Sequence, residues 1–182
     1  MRRLMAALLL ALAAGCASVP PAVPVVAAPA ANWILQGRIG VQAGEQSLSG
    51  NIRWQHRVET DEVLLTSPLG QGVARIVRNA DGVTLEAPNR PPRRAPDAES
   101  LTREALGYAL PVSGLAWWVQ ARPDPERSFE ATHDDAGRIV QLKQDGWVID
   151  YLQYAADARP RKLVVAREGL EIRLVADSWQ AE

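Results

Sequence analysis

The chain has 182 residues, enough for one domain with a worthwhile core, and at 47% hydrophobic and 23% charged its composition is that of a globular protein. A formal net charge of -1 with scattered basic residues excludes the electrostatic footprint of a nucleic-acid binder. Six Trp against one Phe is unusual, and indole suits places where apolar surface meets a polar rim.

Arg2 and Arg3 form a positive start and Leu4 to Leu12 an apolar run, which is the layout of an export signal and not of a folded element. The run is too short for a spanning helix, which needs roughly 20 apolar residues. It closes on Leu12-Ala-Ala-Gly-Cys16, which resembles a bacterial lipoprotein signal, where small residues precede a Cys that is lipidated and begins the mature chain. Residues 1–15 are therefore expected to be a signal peptide and Cys16 the lipidation site. Cys16 is the only cysteine, so there is no disulfide framework and no Cys-based metal site. Ala17 and Ser18 follow it; by resemblance to lipoproteins of Gram-negative bacteria, the absence of Asp there favours the outer membrane. From Ala17 to Ala31 the chain is almost entirely Pro, Ala and Val, and Pro20, Pro21, Pro24 and Pro29 favour an extended tether. At ~3.1 Å per residue this tether reaches roughly 45 Å. The expected division is thus 1–15 signal, 16–31 lipidated tether and 32–182 folded domain.

Trp33 to Gln42 alternates, with Leu35, Ile39 and Val41 against Gln36, Arg38 and Gln42. After a turn at Ala43-Gly44-Glu45-Gln46, Ser47 to His56 alternates again, with Leu48, Ile52 and Trp54 on one face. Both spacings predict strands with one apolar and one wet face. Val63 to Val77 reads as a hairpin around Ser67-Pro68-Leu69-Gly70, in which Pro68 sets φ early in the turn and Gly70 permits a positive φ at its end. Leu69 is the odd residue, because a turn tip normally faces water. A strand from Val83 to Ala87 follows.

Pro88-Asn-Arg-Pro-Pro-Arg-Arg-Ala-Pro96 interrupts the pattern and reads as a solvated loop with a small basic patch. Asp97 can then cap a helix carrying Leu101, Ala105 and Leu106, with Gly107 as its stop. A second helix over Ser113 to Ala121 bears Leu115, Trp117, Trp118 and Val119, apolar nearly all round, so it should lie over something apolar. Arg122-Pro-Asp-Pro125 ends the helical part. Strands resume at Phe129 to Thr132, Arg138 to Gln144, Gly146 to Tyr154, Arg161 to Arg167 and Leu170 to Ser178, joined by Asp- and Gly-bearing hairpin turns. The expected class is mainly β (α+β): a single curled antiparallel sheet, or unclosed β-barrel, of about ten or eleven strands with a short helical lid. A cavity between such a sheet and its lid is a good apolar ligand site.

No chemistry stands out. His56 and His133 have no acid at ligand spacing and read as solvent-facing or strand-edge residues. No G-x-S-x-G motif occurs, and Gly70-Gln-Gly72 lacks the third Gly and the strand–helix context of a dinucleotide site. No enzyme activity, cofactor or metal is expected.

Gly37-Arg38, Gly50-Asn-Ile-Arg-Trp54-Gln, Ser67-Pro-Leu-Gly-Gln71, Leu106-Gly107 with Leu110-Pro111-Val112, Leu115 followed by Trp118, Gly146-Trp147-Val-Ile-Asp-Tyr151 and Leu174-Val-Ala-Asp-Ser-Trp179 together resemble the LolB family, in order, from about Trp33 to Trp179. The resemblance implies an outer-membrane lipoprotein receptor, lipid-anchored and facing the periplasm. It accepts acylated lipoproteins from a LolA-type periplasmic carrier and inserts them into the inner leaflet, with no covalent chemistry. It also implies a hydrophobic cavity under the lid and places the family's exposed loop leucine at Leu69. The partners it implies are the carrier, the acylated cargo and outer-membrane phospholipid, with the protein a monomer. The physics agrees: each buried CH₂ is worth ~0.8 kcal/mol, so a multiply acylated protein does not cross water unescorted.

The site expectations are Cys16 for lipidation, Pro68, Leu69 and Gly70 for a membrane-insertion loop, and Ile52, Trp54, Val63, Leu65, Leu115, Trp118 and Val119 for the acyl-chain cavity. The strand positions follow from alternation and the helical ones from an apolar surface too wide for a surface helix. Plain core packing is the competing reading for each of the seven. Two other functions also stay open on residues alone: a lipoprotein that holds another apolar ligand or assists envelope assembly, and an acyl hydrolase using the same cavity.

Overall fold

The computed structural model describes Ala27 and residues 29–181. The expected signal peptide, Cys16 and most of the tether lie outside the described residues. The elements run β1 (Trp33–Ala43), β2 (Gln46–Arg57), β3 (Thr60–Thr66), β4 (Gly72–Asn79), β5 (Gly82–Glu86), β6 (Arg93–Ala95), α1 (Ala98–Leu106), α2 (Val112–Trp118), β7 (Phe129–His133), β8 (Ile139–Gln144), β9 (Trp147–Tyr154), β10 (Pro160–Arg167) and β11 (Leu170–Ala181). They form one unclosed antiparallel sheet of order β6-β5-β4-β3-β2-β1-β11-β10-β9-β8-β7. The two helices are the chain between the two sheet edges, β6 and β7, and α1 packs against β5, β6 and α2. No helix among the described residues is long and apolar enough to cross a membrane.

Alternation explains the inner face. Leu35, Trp54, Val63, Ile76 and Leu85 sit directly opposite one another across five strands, and all but the half-buried Leu85 are buried. A second row joins Val41, Ile172, Val165, Ile149 and Leu142, every one of them buried. Each such side chain contributes roughly 1.5–3 kcal/mol on burial, so these rows hold the sheet in its curl. Two glycines are required by close backbone approach. A Cβ at Gly37 would stand 2.0 Å from the carbonyl O of Val175, and one at Gly50 would stand 2.3 Å from that of Thr66.

Asp97 caps α1, its Oδ1 accepting from Ser100 N at 2.6 Å, and Gly107 ends it in the left-handed region with φ 87°. The second helix is shorter than the sequence predicts. It stops at Trp118, after which Val119 N bonds back to Leu115 O and Ala121 takes a φ of 54°, where a helix cannot continue. Its end is clasped by the sheet. Trp118 Nε1 donates to Gln144 Oε1 at 2.9 Å, Tyr151 OH donates to Trp118 O at 2.8 Å, and both partners are buried. Burial pushes the Tyr151 hydroxyl well above its ordinary pKa, so it stays a donor.

Two sequence readings are corrected. The loop over residues 88–96 contains β6, where Arg93 to Ala95 pair with Leu85 to Val83. Proline is tolerated there because β6 is an edge strand with Pro92 and Pro96 just outside it. His56 is not solvent-facing: it pairs with Asp61 across β2 and β3 and is mostly buried. His133 does lie exposed on the edge strand β7.

Candidate functional site

The β3–β4 connection is a tight turn. Gly70 N donates to Ser67 O at 2.8 Å, Ser67 N to Gln71 O at 2.7 Å, and Gly70 has φ 84°. Asn51 Nδ2 donates to Ser67 O from the neighbouring strand, and the bare Gly50 lets that strand close up beneath it. This rigid base projects Leu69 outward with 90% of its surface exposed, flanked by exposed Pro68 and Gly70. A leucine folded back on the core is excluded. Such exposure of a large aliphatic side chain on a braced turn stabilises nothing in the fold.

Beside the base of this turn lies a cavity of about 430 Å³. Its walls come from Ile39, Val41 and Leu48 of the β1–β2 hairpin, Leu65, Gly72, Val73, Ala74 and Ile76 of β3 and β4, and Leu85 of β5. Ala105, Tyr108 and Leu110 cover it from the helical side. The buried Thr102 hydroxyl fixes this cover by donating to Ala98 O and accepting from Leu110 N, both at 2.9 Å. Burial also raises the Tyr108 hydroxyl pKa. Arg90, Pro91 and Arg93 form the rim.

A larger cleft of about 570 Å³ lies between α2 and the β2–β3 turn, against Pro29, Ala30 and Ala31. Much of its wall is apolar, from Val58, Ala98, Val112, Ala116 and Trp117, and a charged cluster of Asp61, His56 and Arg78 lies along one part of it. Asp61 accepts from Trp54 Nε1 at 2.8 Å and Arg78 Nε at 2.6 Å, and His56 Nδ1 lies 2.6 Å from it. Burial pulls the Asp61 pKa up, but the hydrogen bonds from His56, Trp54 and Arg78 outweigh it and hold the carboxyl below its ordinary range. The ring of Trp33 stacks on His56 with centroids 4.9 Å apart and meets Trp54 and Trp179 edge-on. Both carboxylate oxygens of Asp61 have partners within the fold, so the cluster reads as the structural lock at this end of the sheet. No group of His, Cys, Asp and Glu among the described residues is arranged to hold a metal.

Of the seven residues expected to line a cavity, only Leu65 lies on the aliphatic one. Ile52, Trp54, Val63, Leu115, Trp118 and Val119 belong to the buried core cluster, and Trp118 also edges a third cleft with charged walls. Space remains on the inner face beside the small Gly72 and Ala74, walled by Leu65 and by Ile76 and Leu85 of the neighbouring row. Alternation found the inward face, and the strand register together with the helical cover sets where that face stays unfilled.

The model of the family Outer membrane lipoprotein LolB matches residues 31–179. The chain belongs to the LolB family. The Outer-membrane lipoprotein LolB of Thiobacillus denitrificans is 66% identical over 171 residues, covering 92% of this chain and 91% of that protein. That of Nitrosomonas europaea is 39% identical over 155 residues, covering 82% and 73%. A solved DUF1329 family protein from Desulfovibrio piger shares the fold at TM-score 0.55 and 6% identity, covering 84% of this chain and 86% of that one. The LolB match takes in both the Leu69 turn and the aliphatic cavity.

Proposed function

We propose that the chain is an outer-membrane lipoprotein receptor, anchored through Cys16 and facing the periplasm. It accepts acylated lipoproteins from a LolA-type soluble carrier and inserts them into the inner leaflet, working as a monomer and without covalent chemistry. The observation that carries this reading is the placement of a 90% exposed leucine on a braced turn beside the mouth of an aliphatic cavity. Kinship with proteins named Outer-membrane lipoprotein LolB supports the location and the class of cargo.

Pro68, Leu69 and Gly70 are the membrane-insertion loop, and the acyl chains occupy the cavity walled by Leu65, Ala74, Ile76 and Leu85 and covered by Tyr108 and Leu110. Ile52, Trp54, Val63, Leu115, Trp118 and Val119 belong to the packed core and not to the cavity wall. The drive is apolar transfer, ~0.8 kcal/mol per CH₂ at each step, and it needs no nucleotide. The test is acceptance. A Cys16→Ala chain exported by another signal in place of residues 1–15, soluble for want of its anchor, is mixed with carrier loaded with an acylated lipoprotein. Cargo moving onto the receptor supports the reading, and cargo staying on the carrier contradicts it.

A further inference from the structure

The arginines of the β5–β6 loop remain unused by this reading. Because β4 and β5 are antiparallel neighbours, the loop after β5 stands at the same end of the sheet as the turn before β4, which carries Leu69. Arg90 and Arg93 border the same cavity as Gly72 and Val73 at the base of that turn. Arg90, Arg93 and Arg94 are all exposed, and alternation along β6 sends Arg94 to the outer side of the edge.

Their charges are largely uncommitted. Arg93 Nη1 lies 3.9 Å from Glu104 Oε1 and donates to the Glu104 carbonyl at 3.3 Å. Arg90 and Arg94 have no ion pair among the described residues. The nearby Arg75, by contrast, is held by Glu62 and Glu86 at 2.7 and 3.1 Å. Glu45 and Glu168 are on the β1–β2 and β10–β11 turns, beyond the Leu69 turn in the strand order. Pro88, Pro91, Pro92 and Pro96 restrict the loop backbone, so little conformational freedom is lost when it meets a ligand.

We propose that Arg90, Arg93 and Arg94 form a docking surface for the phosphate headgroups of anionic phospholipid, with Arg90 and Arg93 at the cavity rim and Arg94 on the outer side of the edge strand, so that this end of the sheet faces the leaflet that Leu69 enters. This rests on the receptor reading and adds the class of lipid it meets. The guanidinium fork matches a phosphate bidentately. A chain of net charge -1 is otherwise weakly repelled by an anionic surface, so a local cationic rim fixes which side approaches. Each arginine near such a surface is worth about fivefold in binding, so three give on the order of 100-fold at low salt.

The experiment is vesicle flotation of the mature chain, residues 16–182 with Cys16→Ala, with vesicles of phosphatidylcholine alone or mixed with phosphatidylglycerol. Binding should rise with phosphatidylglycerol, fall in high salt and drop by tens of fold in R90Q/R93Q/R94Q, while R90K/R93K/R94K retains most of it. Both triple variants should keep a cooperative unfolding transition, losing no more than the exposed Arg93–Glu104 contact supplies. Equal binding of the original chain and the glutamine variant to anionic vesicles overturns the surface and leaves the receptor reading intact. So does a variant that binds vesicles normally but no longer accepts cargo, which would assign the arginines to the carrier. Failure of the unsubstituted chain to accept cargo overturns the receptor reading itself.

Discussion

Leu69→Glu separates folding from delivery. With 90% of its surface already in water, Leu69 contributes almost no burial, and a substitution at such a site changes stability by no more than about 0.5 kcal/mol. The turn's own hydrogen bonds come from Ser67, Gly70 and Gln71 backbone groups and do not involve the leucine side chain. The effect on membrane entry is larger. Leucine favours insertion by roughly 0.5 kcal/mol, whereas an acidic residue opposes it by up to roughly 3 kcal/mol at full depth. A turn that reaches only the interface meets part of that difference, about 1–2 kcal/mol, or a five- to thirtyfold fall in the inserted state. The assay follows a labelled acylated lipoprotein from loaded receptor into vesicles, beside urea unfolding of the same sample. The expected result is an unchanged unfolding midpoint, normal loading from the carrier and delivery slowed at least fivefold. A variant that folds, loads and delivers at the normal rate refutes the reasoning.

Ala74→Trp places an indole inside the aliphatic cavity opposite Leu65; cargo acceptance should fall tenfold or more, measured by transfer from the carrier, while vesicle binding through Leu69 persists. Asp61→Asn leaves Arg78 and His56 facing a neutral group in a buried site, and about 2–3 kcal/mol of stability should be lost at neutral pH by denaturant titration. Because the folded Asp61 pKa lies below its ordinary 3.8, its stabilisation is present above that value and lost as pH falls through the folded one, so the variant should lose less stability on acidification below about pH 4 than the parent does. Gly50→Ala forces a methyl to within 2.3 Å of the Thr66 carbonyl; backbone must shift, with ~1–3 kcal/mol lost in thermal unfolding and slower delivery because the Leu69 turn stands on that contact.

Local rules made most of the sheet legible. Period-2 alternation located β1 and β2 and their inward faces, and Asp97 and Gly107 marked both ends of α1 through the chemistry of their caps. The arginine strand β6 was hidden because its prolines argue against a strand, and only pairing to β5 at an edge makes it one. His56 and Asp61 are five residues apart and look unrelated until the β2–β3 register sets them opposite one another. The exposed Leu69 could be singled out because a turn of Ser, Pro and Gly gives a leucine nothing to pack on. Cavity walls were harder, since alternation says that Trp54 and Leu65 both point inward without saying which has empty space before it. That depends on the β3–β4 register, which sets the small Ala74 opposite Leu65, and on where the helical cover lies.

The place where acyl chains sit is open to direct measurement by photocrosslinking. A lipoprotein carrying a photoreactive group in one acyl chain is moved from carrier to receptor, irradiated, and the labelled peptides are sequenced. Crosslinks are expected within residues 65–85 and 108–110, abolished by Ala74→Trp and retained in Leu69→Glu. Labelling confined to Val58, Ala116 and Trp117 around the larger cleft, or no labelling of the domain at all, would contradict it.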